Sequence, residues 1–268
     1  MMSTQSQKSK TEPEADSAPL LVFHKLLNHF SYGATNYSPA RFERLLRSLI
    51  AYGWSSIGID DQTPGRGRGM VISFDDGYLH LAELLPNLIA QFDLHPLIFV
   101  PSGLIGRSND WDYSYRWCPT PHLNKSALRR LVELNVTIGS HGVSHCDLTS
   151  CNHVLLKQEL EDSRHQLQDI TGQPIDYISY PFGRCNVRVT ESAAAADYRR
   201  GFTMNFPQPS DEPLSRGRFP VYGFDTPWSI RQKLEHGPAY QIEKLKATVV
   251  GRLSGGTVLL NFLKRRSS

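Results

Sequence analysis

The chain has 268 residues, 40% of them apolar, and 29 basic against 26 acidic side chains give a net charge of +3. That length can bury one sizeable core and suits a single α/β barrel of about 250 residues, while the charge balance is too even for a nucleic-acid footprint. No run of 18 apolar residues occurs, so no transmembrane helix is expected. Residues 1–18, rich in Ser, Lys, Glu and Pro, bury no apolar area and are expected to be disordered. They lack the apolar stretch of a secretory signal, so the chain reads as soluble and cytoplasmic, and one domain is expected over 19–268. The four cysteines, Cys118, Cys146, Cys151 and Cys185, form no CxxC pair and are expected to be reduced thiols.

From Pro19 onward, short apolar runs alternate with helical patterns. LLVF (20–23) reads as a strand. SPARFERLLRSLIAYG (38–53) reads as a helix capped by Ser38, with Pro39 in its first position, a Phe42, Leu45, Leu46, Leu49 face, and Gly53 as its stop. Strands follow at SIGI (56–59), MVISF (70–74) and PLIFVP (96–101), with a helix over Leu79–Phe92 between the last two. Ser102–His122 carries Trp111, Tyr113, Tyr115 and Trp117 without periodicity; it reads as a long loop whose aromatic side chains can either stack on the rings of a ligand or pack locally. A helix over Ser126–Leu134, a strand at VTIG (136–139) and a helix over Leu155–Ile170 with a Leu156, Leu160, Leu167, Ile170 face come next. YISYP (177–181), an Ala193–Ala196 helix, a strand near Gly201–Thr203 and TVLLNF (257–262) complete the series. Such β-α-β order predicts a parallel sheet with helices outside, open or closed into a barrel.

Four strand ends carry the candidate chemistry. ISFDDGY (72–78) ends in the adjacent carboxylates Asp75 and Asp76, at the end of a strand where barrels keep their sites. SHGVSHCDL (140–148) places His141 and His145 four apart; if the segment turns helically, both imidazoles can share a metal with a carboxylate from elsewhere. Cys146, the competing soft ligand, is expected to point away. ISYPFGRCN (178–186) ends a strand in Pro181, Phe182 and Gly183, and His24 closes the first strand. Taken singly, each of these segments is ordinary: an Asp-Gly turn, structural histidines, a tight Pro-Gly turn.

In this order, however, the segments resemble the polysaccharide deacetylase family (NodB homology, carbohydrate esterase family four), and most of all its poly-N-acetylglucosamine de-N-acetylase branch. The likeness runs from about Leu20 to Tyr222 and includes the opening strand with His24, the YSPARFERLLRSLIAYGW helix, SIGIDD, FDDG, HxxxH and SYPFG. It implies an α/β fold, a distorted (β/α) barrel of roughly seven parallel strands. It also implies one divalent metal on Asp76, His141 and His145, with Asp75 as general base. The oxyanion would lie on the metal and on an N–H of the Pro181, Phe182, Gly183 turn, and His24 would be the acid that protonates the leaving amine. Zinc suits two imidazoles and a carboxylate, and cobalt, nickel or iron can occupy the same set. The implied substrate is an N-acetylglucosamine-type poly- or oligosaccharide, and polysaccharide assembly machinery is a partner to consider. SRGRFPVYG (215–223) resembles a segment of the same branch and makes Arg218 a candidate to orient a site carboxylate.

The chain also departs from the family pattern. Tyr180 stands where many members carry Arg, and Asn261 lies near the place of a late histidine; His236 is a weaker alternative donor. These departures keep open a carbohydrate-binding protein without catalysis, and because the same metal-water chemistry serves both bonds, a metal hydrolase of another amide or of an O-acetyl ester is a further reading.

Overall fold

A computed structural model describes residues 18–28, 34–61, 68–108, 120–208 and 210–251. Residues 1–17, the aromatic stretch 111–117, Cys118 and TVLLNF (257–262) with Asn261 lie outside the described residues. The strands are β1 (Leu20–Phe23), β2 (Trp54–Ser56), β3 (Arg68–Phe74), β4 (Pro96–Val100), β5 (Thr137–Ser140), β6 (Tyr177–Ser179), β7 (Arg200–Phe202) and β8 (Phe219–Pro220). The helices are α1 (Pro39–Ala51), α2 (Leu81–Phe92), α3 (Lys125–Glu133), α4 (His153–Thr171), α5 (Val187–Ala195) and α6 (Pro227–Leu234), and residues 240–251 are also helical.

The strands order as β7-β6-β5-β4-β3-β1-β8, with β2 beside the start of β3, and every pairing is parallel. The sheet curls into the half-barrel expected of the resemblance. Its two edges are drawn together by one segment: Arg216 bridges Phe202 at the end of β7, and three residues later β8 pairs with β1. Arg218 therefore sits where the curl closes.

Parallel strands covered on both faces read as unbroken apolar runs, which is why β1, β3 and β4 are visible in the sequence. In-register partners share a face. One face packs Leu20, Val71, Leu97, Phe99, Tyr177 and Phe202 into an inner core. The other, with Leu21, Phe23, Ile72, Phe74, Ile98 and Val100, packs against the helices. Gly139 on β5 leaves room for the inner core, since a Cβ there would stand 2.6 Å from the Phe99 ring.

Helix α1 buries the expected Phe42, Leu45, Leu46 and Leu49, each such side chain being worth about 1.5–3 kcal/mol. Ser38 is its N-cap residue but makes no side-chain cap bond, so the helix start rests on Pro39. The strand expected at 56–59 lies two residues earlier, at Trp54–Ser56. Helix α4 starts on the Asn152 cap and ends at Gly172, whose φ is +67°. Helix α6 begins with a Thr226/Ser229 capping box. Among the described residues no helix is long and apolar enough to cross a membrane.

Candidate metal centre

The site is assembled at the C-terminal ends of β1, β3, β5 and β6, on the inner face of the curl. Asp75 follows β3 on the same face as Val71 and Ser73 and is 2% exposed. Arg218, fully buried, grips it in a bidentate pair: Nη1 donates to Oδ1 at 2.8 Å and Nη2 to Oδ2 at 2.7 Å. Ser179, the last residue of β6, donates to the same Oδ2 at 2.9 Å. Arg218 is held in turn by the Thr203 carbonyl at 3.1 Å and by the rings of Phe99 and Phe202, 5.3 and 5.9 Å away. Burial alone would push the Asp75 carboxyl up, but the Arg218 guanidinium holds it below its ordinary value.

Asp76 turns the other way because its φ is +68°, followed by Gly77 at +58°. That pair of left-handed residues reverses the chain and aims the two adjacent carboxylates at different partners. A Cβ on Gly77 would lie 3.0 Å from Val100, so the turn needs glycine for space as well as for φ. Oδ1 of Asp76 lies 3.4 Å from Nε2 of His141 and 3.2 Å from Nε2 of His145. These three buried donors all lie within 4.8 Å of one another.

His141 continues from β5, and its Nδ1 donates to the carbonyl of Ser179 at 2.6 Å, the carbonyl being able only to accept. That bond commits Nδ1 and leaves the Nε2 lone pair turned toward Asp76, as a ligating histidine requires. His145 reaches the same place without the helical turn expected from the sequence. The segment is irregular, with left-handed φ at Gly142 (+75°) and His145 (+55°), and these fold the backbone so that the rings stand 4.9 Å apart. Glu159 on α4 holds this loop: Oε2 accepts the N–H groups of Val143 and Ser144 at 2.7 and 3.0 Å, and Oε1 accepts the Ser144 hydroxyl. Cys146 faces away, its Sγ 3.3 Å from that of Cys151.

The charge states of Asp76 and His145 suit a cation. Burial would raise the Asp76 carboxyl, but the two imidazoles bring it well below the carboxylate range. Burial lowers His145, which favours the neutral, ligating form. His141 is raised on balance, because Asp76 and Asp75 outweigh its burial. One carboxylate and two imidazoles with converging donor atoms, one ring already oriented by a carbonyl, fit a divalent metal.

The remaining sequence candidates fall around these donors. His24, just past β1, is half-buried and near enough for its charge to act on Asp75, Asp76 and His145, and its Nδ1 has no hydrogen-bond partner among the described residues. Pro181, Phe182 and Gly183 form a tight turn with Phe182 at φ +60°, and the Phe182 ring stands 4.9 Å from that of His145. Pro181 has no N–H, and Gly183 donates its own to the Tyr180 carbonyl at 2.8 Å. Tyr180 is buried and donates to the Leu214 carbonyl. His236 packs on Tyr240, with ring centroids 4.4 Å apart.

Ser179, Glu159 and His122 escape the sequence reading. Glu159 and Ser163 did leave a trace, as two polar residues on the buried face of α4 among Leu156, Leu160 and Leu167.

Comparison with known proteins agrees with this fold. The family model described as polysaccharide deacetylase matches residues 62–201. The Bacillus subtilis (strain 168) protein YxkH, which carries a polysaccharide deacetylase name, is 24% identical over 203 residues, covering 72% of this chain and 66% of its own length. Among solved structures, the Streptococcus pyogenes deacetylase PplD in complex with acetate superposes with a TM-score of 0.69 at 18% identity, covering 81% of this chain and 97% of its own. The de-N-acetylase from Aggregatibacter actinomycetemcomitans gives 0.67 at 14% identity, covering 81% and 99%. A family model spanning more than half the residues, on the expected fold, makes this chain a member of the polysaccharide deacetylase family.

Proposed function

We propose that this protein is a metal-dependent hydrolase that removes acetyl groups from N-acetylated sugars of the N-acetylglucosamine type. The observation that carries this reading is the division of labour between adjacent carboxylates: Asp76 shares one spot with His141 and His145, while Asp75 is turned from it and gripped by Arg218. Asp76, His141 and His145 would hold the cation, with zinc best suited to the set. When bound, it polarises the acetamide carbonyl and acidifies a water, which a carboxylate as acidic as Asp75 needs before it can act as a base.

Asp75 takes the proton of the attacking water. Arg218 and Ser179 fix both of its oxygens, so the carboxylate stays ionised and in one orientation. Phe182 contributes the N–H of its turn to the developing oxyanion. His24, on the neighbouring strand end, protonates the leaving amine. The de-N-acetylase name of one structural relative favours an amide over an ester.

The reading is tested by amine release from N-acetylglucosamine oligomers, with wild type and Asp75→Asn both loaded with zinc. Release by the wild type, lost by about 10²–10⁴-fold in Asp75→Asn at unchanged metal content, is the expected result. No release by the wild type after zinc or cobalt is supplied would overturn this substrate and leave the two other readings, a carbohydrate-binding protein and a metal hydrolase of another amide or of an O-acetyl ester.

A further inference from the structure

Asp76 owes its direction to backbone, and that backbone is held from outside. Its φ of +68° is costly for a residue with a side chain, about 1–2 kcal/mol, so the surroundings must maintain it. Two bonds do so from one segment: the Leu123 N–H donates to the Gly77 carbonyl at 2.8 Å, and the Nδ1–H of His122 donates to the Asp76 carbonyl at 2.7 Å. The first is backbone and does not depend on the His122 side chain; the second does. His122 is 1% exposed and stacks on Tyr78, ring centroids 5.0 Å apart, so its ring is fixed before it donates. The segment itself is pinned by His122 N–H to the Arg107 carbonyl and by Leu79 N–H to the Pro121 carbonyl.

We propose that His122 is a positioning residue for the metal: by donating to the carbonyl of Asp76 it locks the left-handed turn that presents the Asp76 carboxylate to the two histidines. This rests on the metal reading above, and makes that ligand's geometry depend on the segment from Pro121 to Leu123. The donor and the ring can be separated. His122→Asn keeps an N–H at the place of Nδ1 and loses the stack, whereas His122→Phe keeps the stack and loses the donor.

The test measures the zinc dissociation constant of wild type, His122→Asn and His122→Phe by competition with a chromogenic chelator, after thermal melts of each protein stripped of metal. The expected result is zinc binding weakened about 10- to 100-fold in His122→Phe and largely restored in His122→Asn. Wild-type affinity in His122→Phe, or equal weakening in both variants, would overturn the proposal while leaving the metal site intact. A wild type that binds no zinc would overturn the metal reading and this proposal with it.

Discussion

Arg218 and Asp75 form a fully buried ion pair, and removing either partner strands the other charge. In Arg218→Met, the Asp75 carboxylate loses its counter-charge while its burial remains, so a loss of about 3–5 kcal/mol is expected at neutral pH. The sign of the pH dependence follows from the lowered carboxyl of Asp75. In the wild type the pair's contribution is full above the unfolded value of about 3.9 and is lost as pH falls through the lower folded value. In Arg218→Met, burial raises that carboxyl instead, so the variant recovers relative to wild type on acidification. Thermal melts of both proteins from neutral to acid pH check this; a stability gap that stays constant would mean that Asp75 is not the group responsible. His24 can be probed at the same scale. His24→Ala should slow amide hydrolysis more than hydrolysis of an activated acetyl ester, whose leaving group needs no proton. Equal losses on both substrates would remove His24 from the role of acid.

Loops rather than regular elements do the positioning, and this decides what could be read from the sequence. The end of β3 at Asp75 follows a long apolar run and was visible, and the short strands before His141 and Pro181 were found from their apolar residues and the turn signals after them. The four-residue spacing of His141 and His145 pointed to a shared ligand set, but the helical turn invoked for it was wrong, because two left-handed residues do the work instead. Such φ values leave no periodic trace. Glu159 acts through the backbone of Val143 and Ser144, a contact that only three-dimensional packing creates. Glu159→Ala should leave those buried N–H groups without their acceptor, costing about 1–3 kcal/mol for each one orphaned, and should weaken metal binding by loosening the loop between the two histidines. Chemical denaturation and zinc titration of the same variant check both parts; an unchanged zinc affinity would limit Glu159 to stability.

For the whole molecule, the parallel barrel was legible because helices and buried strands alternate with different periods. The closing elements were not. Strand β8 is two residues long, too short for any pattern, and α6 carries Lys233 into the core, where Asp225 pairs with it at 2.6 Å, so a buried position reads as a surface one. Arg218 sits beside β8, which is why only the family likeness singled it out beforehand. The proposed ligands follow β3 and lie in the loop after β5, so a metal held by them would tie distant parts of the chain together and its binding should stabilise the entire fold. Zinc at about 1,000 times its dissociation constant should add about 4.1 kcal/mol, seen as a melting temperature that falls with chelator and returns with metal.

The most direct test of the site is the metal content of purified protein by elemental analysis, in the wild type and in His145→Ala. About one divalent ion per chain in the wild type and close to none in a folded His145→Ala protein is the predicted result. A folded wild type that takes up no divalent ion when zinc or cobalt is supplied, or a His145→Ala protein that keeps a full equivalent, would contradict the assignment of Asp76, His141 and His145 as the centre of the chemistry.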